Sequence, residues 1–265
     1  MLTGHFPTDV GFVCCDSQVN WIIFIGLSGK TISYNSRPPS SIRLPKNILT
    51  LYERSMNALS EAVQTGHTAE DNSKGFALSE YPPLRSIELD MRSYAVGHES
   101  LLRRILETSS DDKQRVVAAH LLGYGRQSKS QLTALARANR DSDSIVRNNA
   151  TRALVVLVNS NANLARDIPS EDFVEMLLSG TWTDLNKGST LLAAITKGRN
   201  PTLLAALGKT DLRERLIEMA RWRTGHAQAA RYILGRVAGI DEDRLQHLVD
   251  AGNVQSILDG LPSVK

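Results

Sequence analysis

Four apolar stretches recur at a nearly constant spacing in the second half of this 265-residue chain. They begin at Arg115, Arg147, Lys187 and Ala227, so the intervals between them are 32, 40 and 40 residues. Each stretch carries a small residue near its centre and a core-type residue four positions later, which is the spacing of one helix face. A period of this size predicts stacked helical pairs, none of which can bury its apolar face alone. We therefore expect a mainly α-helical fold.

The N-terminal segment has a different pattern. Residues 10–13 and 21–27 are short apolar runs, residues 28–30 supply a turn, and residues 31–34 alternate polar and apolar side chains. This pattern predicts a small β-hairpin or meander within residues 10–36. We expect it to cover the first helical layer as an end cap, because a terminal repeat otherwise exposes its apolar face.

A helix is predicted over residues 46–65, beginning after Pro45 and ending before Gly66. Residues 66–83 are polar and rich in breakers, which predicts a long loop and a second place where a partner could bind. The chain then divides into three predicted regions: a β-hairpin and linker at 1–45, a helix and loop at 46–99, and the helical repeats at 100–265.

The second repeat carries a recognisable signature. The segment from Asp143 to Ala150, DSIVRNNA, resembles the HEAT-repeat motif, in which an acidic turn precedes Val-Arg-x-x-Ala, and DDKQRVVA from Asp111 is a looser match. The likeness covers about residues 100–240 and weakens where Lys187 and Ala227 replace the arginine. The resemblance implies a right-handed α-solenoid whose concave face binds proteins or other macromolecules. As a whole, the chain resembles bacterial HEAT-repeat proteins with an N-terminal β-segment.

The entry to the third repeat contains the first candidate binding residues, Trp182, Asp184 and Lys187. Some HEAT-like alkylpurine DNA glycosylases, which these residue types resemble, hold damaged DNA with tryptophans and an aspartate in a basic groove. In the alternative interpretation, Asp184 caps a helix, Trp182 fills the joint between repeats, and Lys187 is solvated.

A second aromatic residue flanked by cations follows at Arg221, Trp222 and Arg223. An indole beside guanidinium groups suits base stacking and phosphate contact. The polar residues Arg147 and Asn149 are a further candidate, since a polar ladder on the repeat helices could meet a partner's backbone. Alternatively, Arg147 bridges Asp143 or the acidic turn of the preceding repeat.

No pattern in the chain indicates catalysis or a resident cofactor. The six histidines are scattered without metal-ligand spacing, and we expect His120 and His226 at the edge of the core. Cys14 and Cys15 are adjacent, which gives neither a disulfide framework nor a zinc site. The sequence therefore predicts no metal and no cofactor. It favours a protein without catalytic activity and leaves the question of an enzyme open.

The favoured function is a protein-interaction or scaffolding module, with the partner on the concave face and the 66–83 loop as a second contact. The alternative is a nucleic-acid-binding or DNA-repair solenoid, for which a net charge of +3 permits only weak attraction. That alternative needs six arginines on one face: Arg103, Arg104, Arg137, Arg140, Arg221 and Arg223. A third class, a lyase acting on a chromophore or cofactor, needs a ligand-sized pocket with a poised carboxylate.

The apolar run at residues 21–27 is too short to cross a bilayer, which takes about 20 residues. We therefore expect no membrane span, and a cytoplasmic location by default. A signal peptide lost upstream of Met1 remains an open alternative.

Overall fold

The computed structural model describes residues 9–13, 22–26, 32–222 and 225–263. The predicted turn at residues 28–30, the two cysteines and Arg223 lie outside these ranges. The chain forms two compact units. We call residues 34–168 the central unit, and residues 1–33 together with 169–265 the terminal unit.

Helices dominate both units, which confirms the mainly α prediction. The central unit contains α1 (Lys46–Gln64), β3 (Glu70–Asp71), β4 (Leu78–Ser79), α2 (Pro82–Thr108), α3 (Asp112–Leu122), α4 (Lys129–Arg137) and α5 (Ser144–Ser160). The described part of the terminal unit contains β1 (Asp9–Val13), β2 (Ile22–Gly26), α6 (Ser170–Met176), α7 (Trp182–Ile195), α8 (Pro201–Leu207), α9 (Thr210–Ala220), α10 (Gln228–Val237), α11 (Glu242–Asp250) and α12 (Val254–Asp259).

Acidic side chains begin the two helices that carry the repeat signature. The Asp111 carboxylate accepts a hydrogen bond from the Lys113 amide at 3.1 Å, at the start of α3. Asp143 accepts from the Ile145 and Val146 amides at 2.9 and 3.0 Å, at the start of α5. These bonds satisfy backbone donors that a helix leaves free in its first turn. The predicted capping roles of both acidic turns are confirmed.

The repeat frame matches the buried core in three of the four stretches. The central small residues Ala118, Ala150 and Ala230 are fully buried, and so are the leucines four positions after each of them. Thr190, which holds the same position in the third stretch, is only half-buried. The third stretch was therefore predicted as a helix correctly, but the positions predicted to be buried are displaced along that helix.

Glycine explains the displaced frame of the third stretch. In α7, Gly188 and the leucine four positions later, Leu192, are buried in the same way as Ala150 and Leu154 in α5. If the third stretch is aligned on this pattern, it begins at residue 185 and the intervals become 32, 38 and 42 residues. A Cβ atom at Gly188 would lie 2.9 Å from Met176 Cβ and 3.4 Å from the Phe173 carbonyl oxygen. Helices α6 and α7 approach closely here because this position has no side chain.

Residues 66–83 are more ordered than an irregular loop. Strands β3 and β4 pair antiparallel, with Glu70 opposite Ser79 and Asp71 opposite Leu78. Residues 76–79 are buried, and the Arg152 guanidinium of α5 pairs with the Glu70 carboxylate. The apolar residues 76–78 give this short hairpin a core contact, so most of the segment packs into the central unit.

The N-terminal β-hairpin is confirmed, although its strands pair differently from the prediction. Strand β1 pairs antiparallel with β2, in a register that runs from Asp9 opposite Gly26 to Val13 opposite Ile22. Residues 32–34 form no strand. The Tyr34 ring instead lies under the Arg147 guanidinium, with its centroid 4.0 Å from Arg147 Cζ. The hairpin packs against α7.

Candidate functional site

A groove of about 430 Å³ lies on the central unit, between the C-terminal end of α2 and α4. Its walls come from three segments: residues 35–39, Leu106 with Glu107, and residues of the 134–142 segment. We call it the α2/α4 groove. Its volume falls in the range of roughly 300–1,000 Å³ that is typical of ligand sites.

The first wall is an extended strip of backbone. Pro38 and Pro39 restrict residues 37–39 to extended conformations, so no helix can form there. The Asn35 amide donates to the Arg140 carbonyl at 2.7 Å. Ser40 donates to the Thr108 carbonyl at 3.0 Å and accepts from the Ser110 amide at 2.7 Å. The strip is therefore attached to both turns that border the groove.

Arg115 fixes the turn after α4. Its guanidinium donates to both carboxylate oxygens of Asp141, at 2.7 and 2.9 Å, and to the Ser109 carbonyl at 2.9 Å. The Arg115 side chain is only 1% exposed, and the Asp141 carboxylate raises its pKa. A bidentate pair in such a dry place has a fixed geometry. This pair holds the 108–111 and 138–142 turns in one arrangement.

Arg147, a predicted binding residue, is also buried beneath this wall. Its guanidinium donates to the Asp141 carbonyl at 2.8 Å and to the Ser142 carbonyl at 3.2 Å. The Tyr34 ring covers its other face. The side chain reaches the acidic turn ahead of its own helix, through backbone carbonyls, and supports the groove from behind.

Asn149 is tied to the neighbouring helix. Its Nδ2 donates to the Val116 carbonyl at 3.2 Å, and its Oδ1 accepts from Asn148 at 3.1 Å. Burial raises the pKa of Tyr52, and a hydrogen bond with the Asn149 side chain offsets part of that rise. Asn149 therefore joins α5 to α3 and α1.

The floor of the α2/α4 groove is apolar and its rim is charged. Leu106, Ala134 and Ala138 are buried side chains at its base. Arg137 and Glu107 are exposed at its edge, and neither makes a side-chain hydrogen bond or ion pair with any residue that the structure describes. The groove thus combines apolar contact area with charges that are not engaged within the protein.

In the terminal unit, Trp182 and Asp184 both belong to the first turn of α7. The Trp182 ring is half-buried and meets the His226 ring edge-on, with 5.2 Å between centroids. The Asp184 carboxylate is buried and accepts from the Ser179 hydroxyl at 3.0 Å, so it lies inside the helix start rather than at its cap. This arrangement packs α7 and gives Asp184 an internal partner.

Lys187 and His226 lie near each other in the same unit. His226 Nδ1 is 3.1 Å from Asn186 Oδ1. Burial lowers the pKa of His226, and the charge of Lys187 lowers it further. The lowered pKa favours the neutral imidazole, and its Nδ1 lies beside Asn186, a residue that the sequence pattern did not connect to it.

Arg221 and Trp222 follow the end of α9. Arg221 is exposed and Trp222 half-buried. Arg231 donates to the Ala220 carbonyl at 2.9 Å and to the Trp222 carbonyl at 3.4 Å. These bonds satisfy carbonyl groups at and just after the C-terminal end of α9. Of the six arginines required for nucleic-acid binding, residues 103, 104, 137 and 140 belong to the central unit and 221 to the terminal unit, while Arg223 lies outside the described residues.

A small cavity of mixed lining lies between residue 77, the end of α3 and α5. The His120 ring lies 5.2 Å from Tyr52 and 5.6 Å from Tyr124, measured between centroids. Burial, with a smaller effect of Arg152, lowers the pKa of His120 to about 3. The cavity measures about 10 Å³, which is room for one water molecule at most. No substrate fits here.

Glu88 lies next to this cavity with its carboxylate fully engaged. It accepts from the Ser79 amide at 2.7 Å and from the Tyr124 hydroxyl at 3.3 Å. Burial raises the pKa of both Glu88 and Tyr124. These bonds join β4 and the turn after α3 to α2, and they give the buried Glu88 carboxylate a structural role.

The described ranges contain no cluster of three or more histidine, cysteine, aspartate or glutamate side chains that could hold a metal ion. Among the helices of these ranges, none combines the length and apolar character needed to cross a membrane.

The α2/α4 groove was not predicted from the sequence. Residues 37–41 have the composition of a linker, and the bonds that turn them into a wall are formed by backbone groups. The available signal was the arginine and the acidic turn of the first two repeats, which lie beside the groove. No protein-family model matches this chain, and no curated protein matches it either.

Proposed function

We propose that this protein is a protein-interaction module of HEAT-like repeats, stacked as a right-handed α-solenoid, and that the α2/α4 groove binds an extended segment of a protein partner. The observation that carries the proposal is a preformed groove with an apolar floor and a strip of backbone along one wall. Helical repeat proteins commonly bind partners on surfaces of this kind.

The backbone strip offers hydrogen bonds to a second extended chain. The amide groups of Ser36 and Arg37 have no hydrogen-bond partner among the described residues. Ser36 is exposed and lines the groove. An extended peptide gains main-chain hydrogen bonds at such an edge, and its alternate side chains enter the adjacent pocket. The apolar floor formed by Leu106, Ala134 and Ala138 would receive them.

The groove walls are already in place without a partner. Arg115 and Arg147 are both buried and together hold the Asp141–Ser142 turn through four hydrogen bonds, and a fifth, from Arg115, reaches the Ser109 carbonyl. A preorganised site loses less conformational entropy on binding, so more of the contact energy appears as affinity. The rigid walls therefore support a role of the groove as a binding site.

Peptide display tests the proposal. A random library of seven-residue peptides is selected against the wild type, and the recovered peptides are measured by fluorescence anisotropy. Ser142→Trp places a large ring at an exposed position of the groove wall, and Ser36→Trp does so on the opposite wall. Ser130→Trp is the matched control, because Ser130 is exposed on α4 and does not line the groove.

We expect the recovered peptides to bind the wild type and Ser130→Trp equally, and to bind both groove variants at least tenfold more weakly. Recovered peptides that bind Ser142→Trp and Ser36→Trp as well as the wild type would contradict the proposal. Circular dichroism and a urea melt of each variant establish that the fold is retained.

A further inference from the structure

We propose that the α2/α4 groove selects a partner segment that carries a carboxylate, and that Arg137 binds this group. The inference rests on the proposed function, which it deepens by naming the chemistry of the partner. Its first observation is that Arg137 lines the groove with an exposed side chain that makes no hydrogen bond or ion pair with any described residue.

Arginine is well suited to this role. Its planar guanidinium presents a fork of donors that matches a carboxylate in a bidentate geometry. Arg115, in the same wall, shows this geometry, because its guanidinium donates to the two carboxylate oxygens of Asp141 at 2.7 and 2.9 Å. Asp141, however, belongs to the protein itself. Arg137 has the same donors, but no group of the described residues accepts a hydrogen bond from them. Arg137 lies in the last turn of α4, where the helix dipole is favourable for a cation.

The other charges around the groove leave it attractive to an anion. Asp141 is neutralised by its pair with Arg115. Glu107 is the remaining acidic residue of the lining, and Arg103 and Arg104 precede it by four and three positions on α2, where they are its helix neighbours. Arg103 also lies 3.8 Å from Glu99.

The central unit as a whole is basic. It contains 18 lysines and arginines against 14 aspartates and glutamates, whereas the terminal unit has 13 against 14. Complementary charge raises the encounter rate and orients the partner. An acidic segment is therefore favoured over a basic one at this groove. Glu107 would repel a segment that carries many negative charges.

A carboxylate can come from a glutamate or aspartate side chain or from the end of a chain. Four pools of N-acetylated, fluorescein-labelled seven-residue peptides distinguish these sources. Two pools have a fixed central glutamate and two a fixed central glutamine, and each type is made with a C-terminal amide and with a free C-terminal carboxylate. Binding of each pool is measured by anisotropy with the full-length protein at low salt, because screening weakens exposed ion pairs.

The proposal predicts that a carboxylate-bearing pool binds about fivefold more tightly than the glutamine amide pool. A preference for the glutamate amide pool assigns the group to a side chain, and a preference for the free-acid pools assigns it to a chain end. In either case Arg137→Gln abolishes the preference while the glutamine amide pool still binds, and Arg137→Lys restores part of it. The matched control Arg126→Gln, an exposed arginine outside the groove, keeps the preference.

Two results overturn the inference. One is equal binding of all four pools that remains sensitive to Ser142→Trp, which would leave the groove as a peptide site without carboxylate selectivity. The other is a carboxylate preference that survives Arg137→Gln. Binding that is insensitive to Ser142→Trp in every pool contradicts the proposed function itself, so the two failures are distinguishable.

Discussion

The Arg115 guanidinium and the Asp141 carboxylate form a buried bidentate pair, with N–O distances of 2.7 and 2.9 Å. The pair joins α3 to the turn ahead of α5, so it links one helical pair to the next. It also fixes the wall of the α2/α4 groove. The same two residues thus stabilise the packing of the central unit and fix the shape of its candidate binding surface.

Removing one partner of this pair should destabilise the protein strongly. Asp141→Ala leaves the Arg115 guanidinium buried without its counter-charge, and we expect a loss of about 3–5 kcal/mol in the free energy of unfolding. Arg115→Met combined with Asp141→Ala should cost less than the sum of the single changes, because no buried charge is left uncompensated. Urea unfolding of the wild type and the three variants measures the cycle, and additive costs would contradict a direct pair.

Gly188→Ala tests the corrected frame of the third repeat. The new Cβ atom would meet Met176 Cβ at 2.9 Å, so α6 and α7 must separate, and we expect a loss of about 1–3 kcal/mol. Gly97→Ala is the matched control on α2, where no atom lies within 4 Å of the new Cβ. It should be neutral or stabilise the protein by up to about 1 kcal/mol. Thermal melts that rank the two variants in the opposite order would mean that the frame is wrong.

Leu154→Ala tests the core of the second repeat. Leu154 is fully buried on α5, and its truncation should cost about 2–5 kcal/mol. Ile145 on the same helix is 52% exposed, so Ile145→Ala should change the free energy of unfolding by less than about 0.5 kcal/mol. Chemical denaturation of both variants gives the comparison, and a small effect at Leu154 would place this residue outside the core.

The His120 imidazole makes stability depend on pH in a defined direction. Its pKa is about 3 in the folded protein and near 6.5 in an unfolded chain, so the unfolded chain binds more protons between these values. The contribution of the neutral His120 imidazole to the free energy of unfolding is fully present above pH 6.5 and is lost as the pH falls toward 3. From pH 7 to pH 5 this single group should remove about 2 kcal/mol. His226, whose pKa is also lowered, acts in the same direction.

His120→Gln should therefore lose less stability than the wild type between pH 7 and pH 5, by about the same 2 kcal/mol. His247→Gln serves as the control, because His247 is exposed on α11. Urea unfolding at both pH values measures the difference. A His120→Gln variant with the pH dependence of the wild type would show that the imidazole is not buried in its neutral form.

The helices could be predicted because their signals are local. Acidic caps at Asp111 and Asp143, the proline before α1 and the apolar period define where helices begin and which face is buried. The third frame failed because Lys187 and Thr190 imitate the pattern two positions late. A glycine carries no apolar signal of its own, so Gly188 as the point of closest approach becomes visible only when α6 is packed against α7.

The candidate site was less accessible to prediction than the fold. Arg147 and Asp184 have the polar character of binding residues, yet both are buried with internal hydrogen bonds. Arg137 drew attention only as one of several arginines. Its position at a groove depends on the extended strip at residues 35–40, whose bonds to two distant turns have no sequence period.

Hydrogen exchange tests the central claim, that the α2/α4 groove is the partner-binding site, most directly. The wild type is exchanged with and without a saturating amount of a peptide recovered from the display selection. The account predicts slower exchange of the Ser36 and Arg37 amides, which have no partner in the free protein, together with protection in the 138–142 turn. Protection confined to residues 182–187 and 221–222 of the terminal unit, with no change in residues 35–40, would contradict it.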